Sequence, residues 1–207
     1  IFWNHPGWKV DQIEGSYEWI DFVEELYKKN MLDGIEVFNG FSFYKKALDW
    51  CVDKNLTVMG STDIHNLISH EYAGHRTMTL VFARERTASS IREALKERRT
   101  VAWSGNYLAG KEEQLENLFH ACVQVSPSYY SKADKSGKNI TQYYEISNAS
   151  DLYFELHLKE GKGTKEVILY PKSSQIITAP ADQKKLTYEV RNTYVRSDQH
   201  LVVDIWL

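Results

Sequence analysis

The hydrophobic period of this chain changes near residue 120, and that change restricts it to two architectures in series. Before the change, short apolar runs alternate with segments whose apolar residues recur at spacings of three and four. Trp19, Phe22, Val23, Leu26 and Tyr27 form one face of a helix from an N-cap at Ser16 to about residue 30, and Phe43, Ala47, Leu48 and Cys51 face inward from a second over 41–54. Residues 34–38, 56–59, 77–83 and 100–103 read as strands, with a helix capped by Thr87 and carrying Ile91, Ala94 and Leu95 before the last of them. Strands alternating with helices of this length predict parallel β-α units. After a further helix over 111–119, the runs at 119–125, 143–146, 152–158, 166–169, 175–178, 186–190 and 201–206 alternate with period two between Gly, Asn, Asp, Ser and Pro clusters. These predict a small β-sandwich. The expected fold class is therefore α/β then all-β, with an α/β domain over 1–120 and a sandwich over 121–207.

Charge and cysteine usage narrow the functions. With 25 Lys and Arg against 28 Asp and Glu, the formal net charge is −3, which argues against a general binder of nucleic-acid duplexes. No run approaches the roughly 20 apolar residues of a membrane helix. Cys51 and Cys122 lie far apart, in no zinc-type spacing, and read as free thiols. There is no G-x-S-x-G, no phosphate-binding P-loop and no dinucleotide fingerprint at a strand-helix turn.

The chemistry-bearing residues collect where strands should end. Asn4-His5-Pro6-Gly7 follows Ile1-Phe2-Trp3, and the Pro-Gly turn stops that strand and leaves His5 at its carboxyl edge. Ser61-Thr62-Asp63-Ile64-His65 follows the run ending at Gly60; residues two apart in extended chain point to the same side, so Asp63 and His65 offer an oxygen and a nitrogen together. An Asx-turn or helix cap explains Asp63 equally well from the residue alone. Glu36 and Asn39 flank the end of the strand between, where a buried carboxylate needs a metal or an arginine as partner. Asn39-Gly40 is also a common turn dipeptide. His70, Glu71, His75 and Arg76 crowd the following loop, where they bind phosphate or shape a pocket, Arg76 through bidentate hydrogen bonds.

Asn-His-Pro-Gly at 4–7, Gly-Ile-Glu-Val-Phe-Asn at 34–39 and Gly-Ser-Thr-Asp-Ile-His at 60–65 together resemble the later motifs of the PHP (polymerase and histidinol phosphatase) superfamily of metal-dependent phosphoesterases. The resemblance covers about residues 1–105. It implies part of a distorted (β/α)7 barrel, with an appended β-sandwich, and hydrolysis of a phosphomono- or phosphodiester by metal-activated water. His5, Asp63 and His65 match metal ligands of that family, Asn39 matches a polar position at the rim, and His75 and Arg76 fall to substrate binding. The implied cofactors are Zn, Mn or Fe ions, up to three in the complete family site.

The family's opening His-x-His and three further ligands do not precede Ile1, so the expectation is a site holding fewer ions, a weakly active or inactive chain, and an open edge prone to self-association. The expected partner is a small phosphorylated substrate, and the resemblance leans towards an exported, periplasmic protein. Two other classes remain open: a non-enzymatic binding module on a degenerate scaffold, and an amidohydrolase-like metal hydrolase.

Overall fold

The computed structural model describes residues 1–8, 17–67 and 75–207; Ser16, His70 and Glu71 lie outside them. The chain divides into two compact units, Ile1–Leu115 with Tyr194–Gln199, and Glu116–Thr193 with His200–Leu207.

The first unit is organised by strands β1 (Phe2–Trp3) and β2 (Gly34–Asn39), which pair in parallel, with helix α1 (Asp21–Lys28) between them in sequence. A tight turn at Gly40, where φ is 55°, returns β2 into the short antiparallel β3 (Ser42–Phe43). Helix α2 (Lys45–Asp53) then leads to β4 (Thr57–Ser61), which pairs in parallel with the other side of β2. β2 is thus central and buried along its whole length, consistent with its near-continuous apolar run. Ile35, Val37, Leu48 and Cys51 are fully buried, and Trp3 stacks on Trp50 at 5.4 Å while Trp19 meets both rings edge-on. Offset and edge-on aromatic contacts of this kind add about 0.5–1.5 kcal/mol beyond the area they bury.

The expected (β/α)7 barrel is not formed by the described residues. Parallel pairing stops with β1, β2 and β4. The next strands, β5 (Met78–Val81), β6 (Thr100–Ser104) and β7 (Tyr107–Gly110), pair antiparallel in sequence, with Val81 opposite Thr100 and Val101 opposite Gly110. Helix α3 (Ala88–Lys96), capped by the Thr87 hydroxyl accepting from the Ser90 N–H, is an excursion between two antiparallel neighbours rather than a parallel crossover. The reason for the difference is physical. Alternation of strand and helix reports burial and length, and a helix of nine residues fits either connection; strand direction is set by pairing partners remote in sequence.

Helix α4 (Glu112–Cys122) is followed by β8 (Val123–Val125), β9 (Tyr130–Ala133), β10 (Ile140–Asn148), β11 (Phe154–Glu160), β12 (Glu166–Leu169), β13 (Ser173–Pro180), β14 (Lys185–Arg196) and β15 (Gln199–Trp206). In the second unit one sheet runs β13-β10-β8, with β9 also on β10; the other strands run β12-β11-β14-β15. Period two is visible in β15, where Leu201, Val203 and Ile205 are buried and Val202 and Trp206 are exposed. Phe119 and Phe154 meet edge-on at 5.2 Å in this core. Buried Asn148 ties two turns to it, donating through Nδ2 to the Leu152 and Tyr170 carbonyls and accepting from the Ser150 N–H. No helix among the described residues is long and apolar enough to cross a membrane.

Gly34 allows β4 to approach β2, because a Cβ there would lie 2.5 Å from the Thr57 carbonyl oxygen. Gly34→Ala therefore forces two backbones apart and lowers the stability of the first unit by about 1–3 kcal/mol, measured by urea unfolding followed by tryptophan fluorescence. An unchanged midpoint would contradict this packing.

Candidate functional site

The site begins with an irregularity in β2. Its register with β4 pairs Glu36 with Met59 and then Phe38 with Gly60, so β2 holds one extra residue between them. In a regular strand, residues three apart face opposite sides. The bulge reverses that parity, and the Asn39 amide Nδ2 reaches Glu36 Oε2 at 3.1 Å. The same oxygen accepts the backbone N–H of His5 at 2.5 Å, and Glu36 Oε1 accepts from the Ser61 hydroxyl. One carboxylate, 2% exposed, thereby joins the ends of β1, β2 and β4. Burying a carboxylate is costly unless hydrogen bonds replace its water. Here three uncharged donors do so.

Two chemistry-bearing residues beside this carboxylate have left-handed backbone: His5 at φ 33° and Asp63 at φ 51°. Asn30, Asn55 and Arg98 also have positive φ, but each follows the end of a helix, where that conformation is an ordinary terminator, and Lys172 lies in the turn between β12 and β13. His5 and Asp63 follow the parallel strands β1 and β4 instead. Strained backbone of this kind costs about 1–3 kcal/mol and concentrates at functional sites. The turn at His5 closes through the Trp8 N–H on the His5 carbonyl at 2.9 Å, with the imidazole against the Trp8 ring at 5.5 Å. Gly7 is needed there, since a Cβ would meet the Tyr17 and Tyr44 rings at 2.8–2.9 Å. Burial raises the Tyr44 phenol above its ordinary pKa, and the negative charges of Glu36 and Asp63 push it the same way. Both effects favour the neutral phenol.

Asp63 Oδ1 lies 3.8 Å from His65 Nε2, and both side chains are open to solvent. Among the described residues, no group of three or more His, Cys, Asp or Glu side chains converges to hold a metal ion. The structure thus brings Asp63 and His65 together and links His5 to the same strand ends through its backbone bond to Glu36. Asn39 is fixed by that carboxylate. His75 packs its ring on Trp103 at 4.2 Å, with Nε2 buried and without a hydrogen-bond partner among the described residues. Burial lowers its pKa, with a backbone hydrogen bond to Trp103 working in the opposite direction. Arg76 is exposed. The Thr77 and Ser104 hydroxyls converge on the Gly40 carbonyl, and the Gly40 N–H donates to the Ser61 carbonyl at 2.9 Å, so the β2–β3 turn is locked to the end of β4. Sequence reasoning singled out neither Ser61 nor Tyr44 as part of the site. The signal for Ser61 was its place between Gly60 and Asp63, while Tyr44 carried none in the sequence.

Residues 123–206 match the family model of an Ig-like domain. A solved structure from Bacteroides vulgatus, a two-domain protein containing a predicted PHP-like metal-dependent phosphoesterase, is 34% identical, with a TM-score of 0.87 over 100% of this chain. The chain spans 61% of the length of that structure. No curated protein sequence matches the chain. The all-β reading of the carboxyl half thus resolves to an Ig-like domain over residues 123–206.

Glu36→Leu fills much the same space but leaves no acceptor for the His5, Asn39 and Ser61 donors. It destabilises the first unit by about 1–3 kcal/mol in chemical denaturation, and an unaltered unfolding curve would contradict the three hydrogen bonds assigned to Glu36. In a proton NMR titration, His75 should titrate below the ordinary imidazole pKa. Because the fold favours its neutral form, His75 contributes stability that is full above the ordinary imidazole pKa and is lost as pH falls through that range towards the lower folded value. Trp103→Ala, which opens the ring to water, moves the midpoint upward; a midpoint at or above the ordinary value in the unmodified chain would contradict the burial.

Proposed function

We propose that the strand-end site belongs to a phosphoesterase working with divalent cations, and that this chain supplies part of its residues. The observation that carries the reading is the left-handed backbone at His5 and Asp63, on strand ends joined through one buried carboxylate. Holding metal-type donors in strained geometry on rigid strands preorganises a ligand site. The likeness to a structure containing a predicted PHP-like metal-dependent phosphoesterase supports the same class.

In this reading His5, Asp63 and His65 serve a zinc, manganese or iron ion, and Asn39, His75 and Arg76 face a small phosphorylated substrate. Two imidazoles and a carboxylate fit such an ion in kind. Among the described residues Asp63 and His65 stand together, and no group of three donors is complete. The roles of the chain's own groups follow from their chemistry. Arg76 offers paired N–H donors to phosphate oxygens. Glu36 is a positioning residue, occupied by its three donors and holding the His5 turn and the Asn39 amide in place. The lack of a three-donor group among the described residues is also what a non-enzymatic binding role predicts, and the same experiment separates the two.

The test is hydrolysis of bis(p-nitrophenyl) phosphate by the 207-residue chain with added manganese or zinc. Slow, chelator-sensitive turnover is expected, falling by about tenfold or more in Asp63→Asn. Turnover indifferent to both chelator and Asp63→Asn would overturn the metallophosphoesterase reading, and no turnover at all would favour the binding role.

A further inference from the structure

We propose that the aromatic cavity beside the strand-end site is a subsite for a planar aromatic ring, the nucleobase or aryl group of a phosphate ester. Its role as a substrate subsite rests on the phosphoesterase reading; its preference for a ring does not. The cavity, about 450 Å³, is walled by Phe41, Phe43, Tyr107 and Tyr194, with Ser104 and Asn106 as polar lining, all within the first unit. That volume lies within the usual range of about 300–1,000 Å³ for small-molecule pockets.

The aromatic wall is continuous from the core to the surface. Buried Phe38 contacts Phe43 at 4.6 Å, Phe43 meets Tyr194 edge-on at 4.9 Å, and Tyr194 lies 6.2 Å from Tyr107. At the mouth stand Phe41, 76% exposed, and Tyr107, 51% exposed, one in the β2–β3 turn and the other just after the β6–β7 turn. Large rings presented by two tight turns are costly to leave in water and suited to stacking. Lys45 Nζ lies 5.8 and 5.6 Å from the Phe43 and Tyr194 ring centroids, giving the rim a positive charge that favours a ligand bearing a nearby anion.

Position ties this cavity to the site. Ser104 lines it and donates to the Gly40 carbonyl, while the Gly40 N–H binds the Ser61 carbonyl and Ser61 holds Glu36. A polyol would need a set of free polar side chains to replace its water, and the Ser104 hydroxyl is already engaged with Gly40 and Thr77. Aromatic side chains dominate the wall, and a flat ring is what such a wall suits best.

Ligand-observed NMR titration of the full chain with adenosine, p-cresol and ribose, none of which carries phosphate, tests the assignment. The aromatic ligands should bind about tenfold or more tightly than ribose, as ring stacking allows. The preference should be lost in Tyr107→Ala and Phe41→Ala and kept in Tyr107→Phe. Adenosine favoured over p-cresol identifies a nucleobase, the reverse a simple aryl group, and either supports the subsite. Equal binding of ribose overturns it, as does a preference that survives both alanine variants or a loss in Tyr107→Phe equal to that in Tyr107→Ala. Failure here leaves the phosphodiester result untouched, and failure of hydrolysis leaves nucleoside binding to stand or fall by itself.

Discussion

The Glu36 carboxylate is the constraint from which the strand-end site follows. A charge sealed between strands must have its lone pairs satisfied by the protein, and each donor it takes fixes another segment: the His5 N–H at the end of β1, the Asn39 amide at the end of β2, the Ser61 hydroxyl at the end of β4. Removing a donor exposes the penalty of the buried charge rather than the small net value of one hydrogen bond. The arrangement therefore resists loosening at any of the three strand ends. It also explains the bulge in β2, without which Glu36 and Asn39 would point to opposite faces.

The surrounding packing serves the same geometry. Trp3 enters the stack with Trp50 and Trp19, which anchors the strand that leads to His5, and Gly7 lies close against the Tyr17 and Tyr44 rings. On the other side, Thr77 and Ser104 clamp the Gly40 carbonyl. With its approaches fixed from both sides, the backbone at His5 and Asp63 holds a left-handed conformation that an isolated segment would relax.

Local pattern made much of this legible before the structure. The apolar run at 34–38 is β2, the run at 56–59 is most of β4, and spacings of three and four placed α2 within a residue or a few of its ends. Period two located most strands of the Ig-like domain because one face of each is buried, and it missed β9, which is exposed along its length. Strand direction was not legible: residues 77–83 and 100–103 are equally apolar whether parallel or antiparallel, and their antiparallel pairing removed the barrel. The bulge was equally hidden, since no residue type in Ile35-Glu36-Val37-Phe38 demands one. Within the site, His5, Asn39, Asp63 and His65 stood out by residue type at strand ends, whereas Ser61 and Tyr44 gained meaning only from what they face.

Amide hydrogen exchange at His5 tests the central role of Glu36 most directly, because that N–H is bound by the carboxylate and by no strand ladder. In the native chain it should be protected, and in Glu36→Leu, which has no acceptor, it should exchange about tenfold to a hundredfold faster while the core amides of β2 keep their protection. An unprotected His5 amide in the native chain, or one indifferent to the substitution, would contradict the account.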